Sequence, residues 1–124
     1  MDNLEVIARL KIRPGQLETL EAQIAEVLRV TREQDTHTLR CDWFINKAGT
    51  ECEVHEMFSN EQGLIEHKMN TMEATKAIFT DSVFDHHATI YGEVSQDFIN
   101  LATERMGPPT VFAFAQGLAS PASV

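Results

Sequence analysis

The chain has 124 residues, 43% of them hydrophobic, which suits one domain with a real core. Its 19 acidic residues outnumber 10 basic ones, giving a formal net charge of −9, so nucleic acid and anionic membrane surfaces are not expected partners. No apolar run approaches the roughly 20 residues that span a bilayer, and the start "MDNLEVIARL" lacks a signal-peptide pattern, so a cytoplasmic protein is expected.

The first stretch, "LEVIARLKI", alternates. Leu4, Val6, Ala8, Leu10 and Ile12 share one face, which is the period-two mark of a strand. "RPGQ" then breaks the pattern, and "LETLEAQIAEVLRVTRE" follows with Leu17, Leu20, Ile24, Val27, Leu28 and Thr31 at helical spacing. Glu18, Glu21, Glu26 and Arg29 lie mostly off that stripe, so an amphipathic helix covering a sheet is predicted.

"HTLRCDWFIN" reads as the second strand and "TECEVHEMF" as the third, joined at "NKAG", where Gly49 can take a positive φ. An unbulged hairpin sets Cys41 near His55 and Cys52 near Phe44. The two cysteines then do not face each other, and free thiols are expected. Cys52, Val54, Glu56 and Phe58 share one face of the third strand, with His55 and Met57 on the other.

"SNEQ" fits a capping box from Ser59 to Gln62, starting a helix that carries Leu64, Ile65 and Lys68. "NTME" resembles a second cap, and the helical pattern runs on through Ile78 and Phe79 to Val83 and Phe84, as one kinked helix or two. "ATIYGEV" is a fourth strand. "SQDFINLATERMGPP" is a short helix capped by Ser95 and stopped by Gly107 and Pro108. "TVFAFAQGL" is read as a last strand, and "ASPASV", residues 119–124, as a loosely ordered tail.

The order β-α-β-β-α-β with an added helix and strand predicts an α+β class, ferredoxin-like sandwich over residues 1–118. Its antiparallel sheet carries helices on one face. The other face, bearing Trp43 or Phe44 according to which side packs the helices, needs a cover, and a second copy supplies it: a homodimer is expected.

Four histidines, His55, His67, His86 and His87, together with Glu56 invite a metal reading. Their spacing matches no zinc pattern, and adjacent strand residues such as His86 and His87 point to opposite faces, so no metal is expected. A Cys41–His55 pair beside Asp42 and Glu56 lacks the electropositive setting of a reactive thiol, so structural cysteine is the reading. Glu56 among apolar neighbours is either a buried structural carboxylate or a pocket acid with a raised pKa.

"LEVIARLKIRPGQLETLEAQIAEVL" followed by "VHEMFSNEQGLIEHK" resembles the antibiotic biosynthesis monooxygenase superfamily of dimeric α+β barrels, over residues 4–70. The end of the chain is similar to an extended branch with an added strand-helix-strand. The resemblance implies a cofactor-independent monooxygenase acting on a small phenolic or quinol-type substrate, whose own electrons make flavin or metal unnecessary. His67 is then the catalytic proton acceptor, the alternative being a surface or helix-packing histidine. Trp43, Glu56, Phe58 and Tyr91 are the expected substrate-binding residues, with core or interface packing as the other reading of Trp43 and Tyr91. Haem degradation is not expected, because Ala8 stands where that branch uses Asn and His67 where it uses Trp. The alternative function is a non-catalytic small-molecule-binding or stress-associated dimer. A purely structural dimer without a cavity is the third.

Overall fold

The computed structural model describes residues 3–119; the predicted tail falls almost wholly outside them. The chain forms β1 (Leu4–Ile12), α1 (Leu17–Gln34), β2 (Thr38–Ile45), β3 (Glu51–Phe58), α2 (Glu61–Asn70), α3 (Met72–Asp81), β4 (Val83–Tyr91), α4 (Gln96–Met106) and β5 (Thr110–Phe112). The sheet order is β2-β3-β1-β4-β5. Its first four strands pair antiparallel in the ferredoxin-like arrangement, and β5 joins β4 in parallel at the edge.

The alternation in β1 buries what it predicted: Leu4, Val6, Ala8, Leu10 and Ile12 all face the helices. Ala8, Leu10 and Ile12 meet Leu20, Ile24 and Val27 of α1, whose helical stripe is the complementary apolar surface. The core falls into two clusters. One centres on Ala8, Leu10, Val54 and α1; the other holds Leu4, Val6, Phe58, Leu64, Ile90 and Phe98. Each fully buried side chain such as Phe58 or Leu64 adds about 1.5–3 kcal/mol of burial free energy. Glu56 lies on β3 between Val54 of the first cluster and Phe58 of the second.

Several local expectations need correction. The β2–β3 loop holds four residues, 47–50, because Asn46 pairs with Glu51 and its Oδ1 accepts the Thr50 and Glu51 amides. The register therefore shifts by one: Cys41 opposes Glu56, and Cys52 opposes Ile45. Both cysteines are free, as expected. Asn60, not Ser59, caps α2, its Oδ1 accepting the Gly63 amide at 2.9 Å. Ser59 Oγ is buried without a partner among the described residues. Gly63 is required by space rather than by φ, since a Cβ there would meet His37 Cβ at 2.6 Å. The helical region splits at Thr71, and Asn70 spends its side chain on Asp35 instead of a cap.

Val83 and Phe84 belong to β4, not to the preceding helix, because they pair with Ile12 and Lys11. A bulge follows, with Asp85 at φ 58°, and it breaks the alternation that would have marked the strand. The far end of β4 stops at Tyr91, short of the predicted Val94. The last strand stops at Phe112 for a related reason. Its parallel pairing runs only from Thr89–Thr110 to Tyr91–Phe112, and the Gly92 amide already takes the Phe112 carbonyl. Beyond that β4 offers no further partner.

Candidate active site

Three buried ionisable side chains meet between β3 and the helices. His67, in the last turn of α2, sits with Nε2 2.8 Å from Glu56 Oε2 and Nδ1 2.7 Å from Asp35 Oδ2. Asp35 is the residue that ends α1. It also accepts hydrogen bonds from Thr38 Oγ1 at 2.6 Å and Asn70 Nδ2 at 2.8 Å. Phe58 packs against the imidazole, ring centroids 5.4 Å apart.

Local sequence explains each placement. The buried period-two face of β3 brings Glu56 inward, and the Asn60 cap sets the phase of α2 so that Leu64 and His67 face the sheet. A carboxylate at a helix C-terminus opposes the macrodipole. Asp35 is tolerated there because three donors meet it.

The charge state follows from competing effects. Burial pushes the His67 imidazole down, but the hydrogen bond and charge of Glu56, then those of Asp35, outweigh it, and its pKa is raised. Burial pushes Glu56 up; the His67 bond, the Lys68 charge and the His67 charge reverse this, and its pKa is lowered. Asp35 follows the same course, burial being overcome by Thr38, Asn70 and His67. The triad therefore holds an imidazolium between two carboxylates and titrates as a unit.

A cavity of about 270 Å³ opens between α2, β4 and α4, walled by Val6, Leu64, Ile90 and Phe98; Glu56, His67 and Asp35 are not among its lining residues. Lys68 and His86 line it and also act electrostatically on Glu56, tying the cavity to the triad. Within the triad Glu56 is the more accessible carboxylate, its side chain 10% exposed against 1% for Asp35. A second hollow of about 300 Å³, at Arg9, Phe44 and Glu53, opens at the hairpin end of the sheet.

The residues expected from sequence are thus divided. His67, Glu56 and Phe58 come together. Trp43 is half-buried against the first core cluster on the helix side, with its indole N–H buried and unpartnered among the described residues. Tyr91 lies on the opposite, open face, stacked on Phe112 at 5.7 Å. None of Trp43, Tyr91, His67, Glu56 and Phe58 lines the cavity between α2, β4 and α4. His55 bonds Glu53 on the open face, while His86 and His87 sit on β4. Cys41 Sγ, a Glu56 oxygen and a His67 nitrogen lie within 4.8 Å of one another, a donor set that suits a transition metal. Burial and the Glu56 charge push the Cys41 thiol up to about 12, which opposes the thiolate that metal binding needs. Asp35 was the member missed in sequence. An acid closing a long helix, against the dipole, was the available signal.

No family model and no curated protein matches the sequence. Solved structures do. MupZ from Pseudomonas fluorescens superposes with a TM-score of 0.81 and 22% identity, over 100% of this chain and 98% of its own, so α4 and β5 are shared too. A candidate antibiotic biosynthesis monooxygenase from Caulobacter crescentus covers 76% of this chain and 92% of its own at TM-score 0.67 and 15% identity. Another, from Nitrosomonas europaea, covers 76% and 92% at 0.64 and 12%. Among the described residues no helix is long and apolar enough to cross a membrane. The chain has the fold of the antibiotic biosynthesis monooxygenase superfamily.

Proposed function

We propose that the chain is an enzyme of acid–base chemistry, a cofactor-independent monooxygenase of a small phenolic or quinol-type substrate. The observation that carries this reading is His67 bonded to the buried carboxylates of Glu56 and Asp35, on the helix whose Leu64 and Lys68 line the cavity. The two carboxylates raise the His67 pKa, and in its protonated form it has no free lone pair. The proton acceptor is therefore the Glu56–His67 pair once pH has risen through the raised His67 value: Glu56 passes the phenolic proton to His67 Nε2, the stronger base of the two. The imidazolium so formed then stabilises the phenolate. The electron-rich ring reacts with O₂; where a ring CH₂ becomes C=O, one oxygen atom enters the product and the other leaves as water. All four electrons come from the substrate. The names of the fold neighbours support the oxygenase class. Oxygen uptake with a panel of quinols and anthrones tests it. Uptake above the uncatalysed rate is expected, and none with any of them rejects the oxygenase reading.

The second reading, a non-catalytic binder of the same molecules, is favoured by the apolar walls of the cavity. Either function takes place in a homodimer in our reading. Phe44, Phe84, Tyr91 and Phe112 are exposed on the face without helices, too much aromatic surface for a lone sheet. Light scattering should give about twice 14.0 kDa. A stable monomer at micromolar concentration rejects the dimer.

A further inference from the structure

We infer that the cavity between α2, β4 and α4 selects an anionic amphiphile, an aryl carboxylate whose ring fills the apolar walls and whose charge meets Lys68 and His86. The inference rests on this cavity being the substrate site proposed above.

The first observation is a local reversal of charge. The chain carries 19 acidic residues against 10 basic ones. Yet the ionisable residues lining the cavity, among the described residues, are Lys68, His86 and His87, with no carboxylate; the His87 ring is in hydrogen-bond contact with Thr110 Oγ1. The rest of the lining is apolar side chains, a glycine and two prolines. A neutral apolar ligand gives no reason for that selection, and a cationic one is repelled by it.

The second observation is that the Lys68 charge is unspent. Among the described residues no carboxylate lies within ion-pairing distance of its ammonium. Glu56 feels Lys68, but its oxygen is already bonded by His67. Lys68 therefore keeps donors for a ligand while its long stem lines the wall.

Third, His86 stands where an anion relieves a conflict. The β4 bulge at Asp85 places His86 on the cavity, edge-on to Phe79 with centroids 5.3 Å apart. Burial, then the charges of Lys68 and His87, hold its pKa down. A bound carboxylate accepts from the ring N–H and offsets the Lys68 charge.

The volume of about 270 Å³ accommodates a two-ring aromatic acid.

Titration calorimetry on the full chain at neutral pH tests this with three isosteres: naphthoate, naphthamide and naphthylmethylammonium. Naphthoate is expected to bind at least about tenfold tighter than the amide, and the cation weakest. Lys68→Gln, at an exposed position outside the core, should bring the naphthoate and naphthamide affinities to within about twofold of each other. Equal affinity for naphthoate and naphthamide overturns the inference and leaves the cavity standing as a binding site. Tighter cation binding, or no binding of any of the three, overturns it outright. Naphthoate binding without oxygen uptake by hydroxynaphthoates rejects the oxygenase reading and supports this one.

Discussion

Replacing His67 with alanine should cost the folded chain about 3–5 kcal/mol at neutral pH. The substitution removes the cation that separates Glu56 from Asp35, and strands two buried carboxylates without a counter-charge. The loss of packing against Phe58 adds to it. Urea unfolding of the two proteins measures the difference, and a loss under about 1 kcal/mol would show that the triad is not an ion cluster.

The same cluster predicts how stability follows pH. His67 titrates above its ordinary 6.5 in the folded chain, so its contribution is complete below 6.5 and lost as pH rises through the raised value. Glu56 and Asp35 titrate below their ordinary 4.5 and 3.8, so theirs is complete above those values and lost as pH falls through the depressed ones. The cluster therefore contributes fully between 4.5 and 6.5, where the deficit of His67→Ala should be greatest. It should narrow on both sides. A deficit independent of pH would overturn the charge assignment.

Glu56→Gln should leave the chain folded and lower kcat by about 10²- to 10⁴-fold, with little change in KM. Glutamine keeps the shape and a polar contact to His67 but cannot take a proton at that position. The cavity walls and Lys68 are untouched, so ground-state binding persists. Turnover within about twofold of the parent would remove Glu56 from the chemistry. The variant is more informative than His67→Ala, because a lost proton acceptor and a destabilised fold then read out separately.

Much of the fold lay in local pattern. Alternation over residues 4–12, the α1 stripe and the Gly49 turn each follow from periodicity or turn chemistry within a few residues. So does the inward direction of Glu56, two residues from Val54 and from Phe58 on one strand face. The start of β4 did not, because the Asp85 bulge breaks the period and only pairing with β1 holds Val83 and Phe84 extended. Nor did the hairpin register, which depended on whether the loop held three residues or four, and which moved Cys41 from His55 to Glu56.

Whether His67 is a base or a packing residue is not decided within any local window of the chain. The imidazole is set between Asp35, 32 residues earlier, and Glu56 on a different strand. Element order and the apolar faces were settled by residue spacing, since a strand or helix expresses its period wherever it stands. The partners of His67, its charge, and the basic lining of the cavity were settled only by chain closure, because electrostatics acts through space, between groups that the sequence keeps far apart.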